Sequence, residues 1–313
     1  MDERLISLGK PAKNPDPKLR KPDWLKVLLP SGEGFQRTRE TVHSLGLNTV
    51  CEEARCPNIA ECWGGGTATI MLLGDTCTRG CRFCNVKTGN PQGVVDRDEP
   101  RRVGAAIAAL ALKYVVLTTV DRDDLADGGG AHIGETIATI KRLNPRILVE
   151  ALVGDFRGDA NGVHAVLDGA PDVYAHNIET VERLTRKVRD ARMTYRQSLG
   201  TLAEAKRRAP GVVTKSSIML GLGETEDEVA ATMRDLRESG VEVLTLGQYL
   251  RPTSWHLPVQ RYVTPEEFGD WRAEGEAMGF SYVASGPLVR SSYKAGEYFI
   301  ENMLHRRRDE DSH

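Results

Sequence analysis

The sequence predicts an α/β fold with a parallel sheet, and three observations predict it. Apolar, β-rich runs recur at 67–73, 114–120, 146–153, 172–176, 212–220 and 241–249. Helical patterns lie between them, among them DEPRRVGAAIAALAL, GETIATIKRL, ETVERLTRKV and TEDEVAATMRDLRESG, and such alternation implies parallel strands joined by right-handed crossovers. With 313 residues, of which 40% are hydrophobic, the chain can bury the core of one large domain or two small ones. Six units fall short of the eight of a closed barrel. The expectation is a partial (β/α)6 TIM-type barrel with N- and C-terminal extensions, its open side leaving room for a large substrate.

Taken in order, residues 1–32 are rich in Lys, Arg and Pro and read as an extended arm anchored by Trp24-Leu25. Residues 33–45 read as a helix with Phe35, Val42 and Leu45 as its apolar positions, stopped by Gly46. NTVCEEARCPNIAECWGGG follows, and Gly64-Gly65-Gly66 reads as a joint into the first strand. The six units then run to about 250, with Asp98 and Thr225 where helix N-caps belong. QYLRPTSWHLPVQRYV, a helical pattern from Thr264 to Met278, the short run FSYVASGP and LVRSSYKAGEY complete the chain before a tail of mixed charge. Three parts are expected: 1–66, a barrel over 67–250, and 251–313. No internal repeat or low-complexity segment is seen.

A net charge of −2 creates no field favouring nucleic acid or anionic membrane. No run reaches the length of a transmembrane helix, and the N-terminus lacks the apolar core of a signal peptide. A cytoplasmic protein with reduced cysteines is expected. All six cysteines lie between 51 and 84, in two triplets, a clustering that argues for metal over disulfides.

The second triplet, Cys77, Cys81 and Cys84 in GDTCTRGCRFCNV, has the spacing C-x3-C-x2-C and follows the first strand. Function in parallel barrels sits at strand C-terminal ends, so motif and architecture agree. Cysteine thiolates hold iron–sulfur clusters, and three of them would leave one iron of a 4Fe–4S cube open. Structural zinc usually takes paired cysteines closed to four ligands, and this triplet has neither a downstream pair nor a His at ligand spacing. Cys51, Cys56 and Cys62, spaced C-x4-C-x5-C, leave cluster and zinc equally open on spacing alone.

The C-x3-C-x2-C triplet resembles the radical S-adenosylmethionine (SAM) superfamily. Together with CEEARCPNIAECW, RDDLADGGGAH, AHNIETV, GLGET, QYLRPT and VRSSYKAG, in that order over about residues 20–300, it resembles the lipoyl synthase family. That resemblance implies insertion of two sulfur atoms, at C6 and C8, into an octanoyl chain on a carrier-protein lysine. Those carbons carry no acidic proton, so no ordinary base removes their hydrogens and a cofactor must carry the chemistry. The implied cofactors are two 4Fe–4S clusters and SAM, which on reduction yields methionine and a 5′-deoxyadenosyl radical. Implied partners are octanoylated lipoyl-carrier domains or a glycine-cleavage H-type protein, an electron donor and a cluster-repair protein; nucleic acid and membrane are not.

By the same resemblance Cys77, Cys81 and Cys84 ligate the SAM cluster, while Cys51, Cys56 and Cys62 ligate an auxiliary cluster that serves as sulfur source. Ser292, the second serine of RSSY, is its implied fourth ligand, a harder donor than thiolate and so a more labile one; without the resemblance Ser292 reads as a helix N-cap. Thr119, after strand two, is a candidate for the SAM amino group, and Glu150 and Asn177, near the ends of strands three and four, for its ribose. Each has a plainer reading as a turn or cap residue. GLGET reads as a tight turn letting backbone approach the adenine, His176 equally as a packed histidine or a substrate contact, and Arg290 as a neighbour of the auxiliary cluster. Two competing classes are another two-cluster radical SAM enzyme, such as one forming thioethers or transferring methylthio groups, and a non-enzymatic iron–sulfur scaffold or zinc-binding protein. RNA-directed enzymes of the first class usually add a nucleic-acid module, of which there is no basic patch here; the second leaves the barrel without a purpose.

Overall fold

Each of the six apolar runs forms a strand in the computed structural model, which describes residues 20–26, 32–53, 56, 58–64, 69–110 and 112–292. They are β2 (Thr69–Leu72), β3 (Tyr114–Thr119), β4 (Leu148–Leu152), β5 (Val173–Ala175), β6 (Val213–Leu220) and β7 (Val243–Gln248), parallel and hydrogen-bonded in chain order. The sheet continues past both ends of this set. β1 (Asn48–Thr49) pairs antiparallel with β2, and β8 (Tyr282–Gly286), the run FSYVASGP, pairs parallel with β7. Among the described residues no ladder joins β8 to β1, and the described strands make a partial barrel.

Crossover helices follow β2 to β7: α2 (Glu99–Leu110), α3 (Gly130–Leu143), α4 (Ala160–Asp168), α5 (Tyr195–Arg208), α6 (Glu226–Glu238) and α7 (Pro265–Ala277), with α1 (Glu33–Ser44) ahead of the sheet. Thr225 caps α6 in a reciprocal box with Glu228, and Thr264 does the same for α7 with Glu267. Asp98 stands before α2, but its carboxylate takes the Arg101 guanidinium at 2.7 and 2.8 Å instead of a helix N–H. The pattern ETVERLTRKV does not form the fourth crossover helix. Glu179 has φ +69° and bridges to Ile218 of β6, so the segment breaks into Glu182–Leu184 and Thr185–Val188, each a single turn. The crossover is α5, capped by the Thr194 hydroxyl accepting from Gln197 N–H. In the N-terminal arm Leu25 is the anchor, fully buried, while Trp24 is exposed. Residues 65 and 66 of the glycine joint lie outside the described residues.

Alternation along the strands divides the core. Val115, Leu117, Val149, Ala151 and Tyr174 pack outward with Ile133, Ile137 and Val163 of the helices, and Ile218, Leu220, Leu244 and Leu246 pack with Val229 and Met233. The alternate residues Tyr114, Val116, Leu148, Val173, Val213 and Val243 form a third apolar cluster. Further along the same strand face stand Thr118, Leu152, Ser217, Met219 and Gly247, which line a cavity instead.

Helices α3 and α4 approach so closely that a Cβ on Gly134 would lie 2.1 Å from the Ala165 carbonyl oxygen. No rotamer relieves a clash between a Cβ and backbone. Gly134→Ala is therefore expected to destabilise the protein by about 1–3 kcal/mol, overriding the ~1 kcal/mol helix-propensity gain of alanine, read from the urea midpoint.

Candidate metal and SAM site

The loop carrying Cys77, Cys81 and Cys84 leaves β2 through Leu73 and Gly74, both at positive φ (+68° and +92°). Leu73 N–H is fixed by the buried Glu99 carboxylate at 2.9 Å, which also binds His132 at 2.7 Å. A two-residue parallel ladder, Thr76–Cys77 against Lys87–Thr88, closes the loop at its base. The N–H groups of Arg79 (3.4 Å) and Asp121 (3.3 Å) point at Cys77 Sγ, and that of Asp190 (3.3 Å) points at Cys81 Sγ. Burial dominates the thiols' acidity, pushing Cys77 and Cys81 up to about 12 and Cys84 to about 11. Partly buried thiols met by amide donors suit a metal, which deprotonates them and gains from N–H bonds to sulfur.

Beneath this loop Arg79, 3% exposed, is enclosed by carboxylates. Its guanidinium reaches Asp155 at 2.6 Å, Asp123 at 2.8 Å and Asp121 at 3.6 Å. Burial alone would lower the Arg79 pKa; bonding to Asp123 and the charges of Asp121 and Asp155 outweigh it and raise it. Burial lifts Asp121 to about 6, partly opposed by Arg79 and reinforced by Asp155. Arg192 ties the rim, binding Asp123 at 3.0 Å, Asp190 at 2.8 Å and the Thr78 carbonyl at 2.7 Å.

The first triplet is built by short elements against α1. Cys51 lies in the one-turn helix Val50–Glu53, Cys56 N–H donates to the Cys51 carbonyl at 3.0 Å, and Cys62 lies in the helix Ile59–Gly64. Phe35 and Trp63 stack at 5.2 Å beside Cys51 and Cys62, and Thr38 donates to the Trp63 carbonyl at 3.1 Å. Burial raises Cys51 to about 11 and raises Cys56 also. The Asn58 amide donates to the Leu288 carbonyl at 2.7 Å, bringing in the strand-end segment that carries Arg290, Ser291 and Ser292. Burial lowers the Arg290 pKa, opposed by Cys56.

One cavity of about 520 Å³ joins these parts, lined by all six cysteines, by Ser291 and Ser292, and by Thr119 and Asn177. Thr119 ends β3 opposite Leu72; Asn177 lies just past β5 and donates to Glu179 at 3.1 Å. Glu150 is elsewhere. It lies in mid-strand, two residues before the cavity-lining Leu152, and its carboxylate is held by Lys215 at 2.8 Å and the Tyr114 hydroxyl at 2.6 Å. His176 reaches the cavity wall, but both ring nitrogens are engaged, by the Val153 carbonyl (2.8 Å) and Ser198 (3.0 Å). Burial and then Arg189 hold it below the ordinary histidine range, so it is a packed neutral ring. The helix cap that Ser292 would form falls on residues outside the described ones. Among the described residues no group of three His, Cys, Asp or Glu is placed to hold a single metal ion; three thiolates lining one cavity are the kind of donor set a 4Fe–4S cluster would take.

Sequence reasoning missed Asp121, Arg189 and Met193, all in the cavity wall. Arg189 is 4% exposed and binds Ser198 at 2.6 Å, with its Nε unpaired; Met193 Sδ is 3.6 Å from Cys81 Sγ. Asp121 carried a signal, since it lies two residues after Thr119. Arg189 and Met193 carried none, because the bend after Val188 delivers them from far along the chain.

Two family profiles match the chain, the radical SAM superfamily over residues 71–236 and the N-terminal domain of lipoyl synthase of the radical SAM family over 7–56. The lipoyl synthase of Anaeromyxobacter dehalogenans is 61% identical over 288 residues, 92% of this chain and 98% of that protein. The mitochondrial lipoyl synthase of Drosophila pseudoobscura is 58% identical over 305 residues, 96% and 82% of the two chains. In fold, the FeFe-hydrogenase maturase HydG from Carboxydothermus hydrogenoformans is similar at a TM-score of 0.50 and 14% identity, over 86% of this chain and 70% of that one. Streptococcus suis SuiB bound to its precursor peptide SuiA gives 0.51 at 10% identity, over 69% and 48%. On the joined cysteine loops at the strand ends and this identity across nearly the whole chain, the protein belongs to the lipoyl synthase family of the radical SAM superfamily, whose chemistry rests on a 4Fe–4S cluster and SAM.

Proposed function

We propose that this chain inserts two sulfur atoms, at C6 and C8, into an octanoyl-lysine arm presented by a lipoyl-carrier domain or an H-type protein. The observation that carries this reading is the single cavity lined by both triplets and by Ser292. Cys77, Cys81 and Cys84 hold the SAM cluster; Cys51, Cys56, Cys62 and Ser292 hold a second, the source of sulfur. When bound, the first cluster with SAM supplies the radical chemistry that an unactivated carbon demands. The chain's own part is to hold and to exclude: amide donors set the thiolates, the Arg79 cage stiffens the loop, and apolar walls keep water from a reactive centre. Thr119 and Asn177 remain candidates for SAM's polar groups, and the buried Arg189 offers the cation its carboxylate requires. Glu150 is withdrawn from that set, because Lys215 and Tyr114 occupy its carboxylate.

The division into 1–66 with the second cluster's cysteines, 67–250 with the SAM site, and 251–313 bringing Ser292 follows from this assignment. An electron donor and a cluster-repair protein complete the system, in the reducing cytoplasm. Among the described residues no helix is long and apolar enough to cross a membrane.

Anaerobic turnover of an octanoyl-lysine peptide, with mass analysis of the product, tests the reading; SAM cleavage that leaves the octanoyl chain without new C–S bonds would defeat it. Cys56→Ala separates the two sites. It is expected to form 5′-deoxyadenosine from SAM but no lipoyl product, and wild-type product formation would leave the first triplet a structural role only.

A further inference from the structure

The two cysteine loops are tied together by the side chain of Asn85, at the wall of the cavity they share. Asn85, directly after Cys84, donates its amide N–H to the main-chain carbonyl of Glu53 at 2.8 Å. Glu53 ends the one-turn helix that holds Cys51 and lies three residues before Cys56. A carbonyl at the end of a helix has no partner within it, so the bond satisfies that oxygen. It also does more than cap, because both of its ends are anchored. Cys84 is gripped from the other side: its carbonyl accepts from His256 Nε2 at 2.9 Å, and its N–H donates to the Cys81 carbonyl at 3.1 Å. The first-triplet loop is anchored at its far end by Asn58 on the Leu288 carbonyl at 2.7 Å. Because Asn85 grips backbone, the spacing it sets is independent of any rotamer of Glu53.

We infer that Asn85 is a positioning residue that fixes the separation of the two cysteine loops, and so couples hydrogen abstraction at one to sulfur transfer at the other. This rests on the assignment of the two triplets made above. Reactions between held groups depend on placement to within about an ångström, and a misplacement of that size costs roughly 10²-fold. A loosened strut leaves each loop intact and able to hold its metal, while the substrate carbon and the sulfur lose their register.

The test compares the reconstituted wild-type enzyme with Asn85→Leu, similar in size but without a donor, and Asn85→Gln, which keeps the amide. Iron per chain and SAM cleavage to 5′-deoxyadenosine should stay within about twofold of wild type in both. In Asn85→Leu the ratio of 5′-deoxyadenosine to new C–S bonds should rise by about tenfold or more, inside the loss that misplacement predicts. The magnetic interaction between the two reduced clusters, read by electron paramagnetic resonance, should weaken and broaden. Asn85→Gln should recover most of both. Wild-type coupling in Asn85→Leu would overturn the inference. So would loss of iron or of SAM cleavage, which would make Asn85 a folding contact, and so would a Gln variant as uncoupled as Leu. Failure of the underlying assignment shows separately, in wild-type protein that lacks a second cluster or makes no C–S bond.

Discussion

Cys81→Ala is expected to abolish formation of 5′-deoxyadenosine while leaving the iron bound by the other triplet. Cys81 Sγ is partly buried, accepts the Asp190 N–H at 3.3 Å and lies 3.6 Å from Met193 Sδ, so its surroundings hold it in place. The loss should far exceed the roughly 10–100-fold that removing an outer-shell partner of a metal costs, because a ligand itself is gone. The loop should stay folded, since its base ladder and the Arg79 cage do not involve the Cys81 side chain. Iron analysis, visible absorption and chromatography of SAM products under anaerobic reduction make the measurement. SAM cleavage at the wild-type rate would remove this triplet from radical generation.

Arg79→Leu should produce the largest loss of stability. The substitution strands Asp121, Asp123 and Asp155 around an apolar side chain, and Asp155 has no exposure. Removing one partner from a buried ionic cluster typically costs about 3–5 kcal/mol, chiefly because uncompensated charge remains behind. The pH dependence gives the sign. In the intact protein Asp121 is raised to about 6, above its unfolded value, so the native state binds the extra proton. Its contribution is full below the unfolded pKa and is lost as pH rises through about 6. Without Arg79 the Asp121 carboxyl should rise further and Asp155 should lose a charge that holds it low, so the variant's deficit should be small in acid, grow as pH rises from about 4 and persist above 6. Anaerobic urea unfolding across that range reads it. Arg79→Lys should recover part of the stability but not the forked contact with Asp123. A deficit that did not change with pH would mean that the cage acts through packing alone.

Much of the fold is local in origin and was therefore legible. A parallel strand buried on both faces is a short apolar run, and the six runs mark β2 to β7 to within a few residues. Capping is local too: Thr225 and Glu228 lie three apart and find each other in α6. Where a distant pairing competed with a local preference, the pattern misled. ETVERLTRKV has helical spacing, but pairing of Glu179 with β6 takes the backbone out of helix, and its apolar residues are buried as single turns. The short run that became β8 gains its stability from the exposed edge of β7, a partner distant in sequence.

What the sequence by itself determined is the chemistry available: two cysteine triplets, the place of the second after the first strand, and through the whole constellation of motifs the family. Spacing is enough for that, because ligands on one short loop are close whatever the rest of the chain does. What only the tertiary structure decided is which distant groups meet them. The inward face of β4 carries Glu150 to Lys215 and Tyr114 and leaves Leu152 at the cavity. The bend after Val188 delivers Arg189 and Met193 to the wall beside Cys81. Asn58 and Asn85 tie the loops of the two triplets to backbone carbonyls far along the chain. Hydrogen bonds and ion pairs of this kind depend on angstrom-scale separations between remote segments, and those separations are set by the packing of helices on the sheet, which no local pattern encodes.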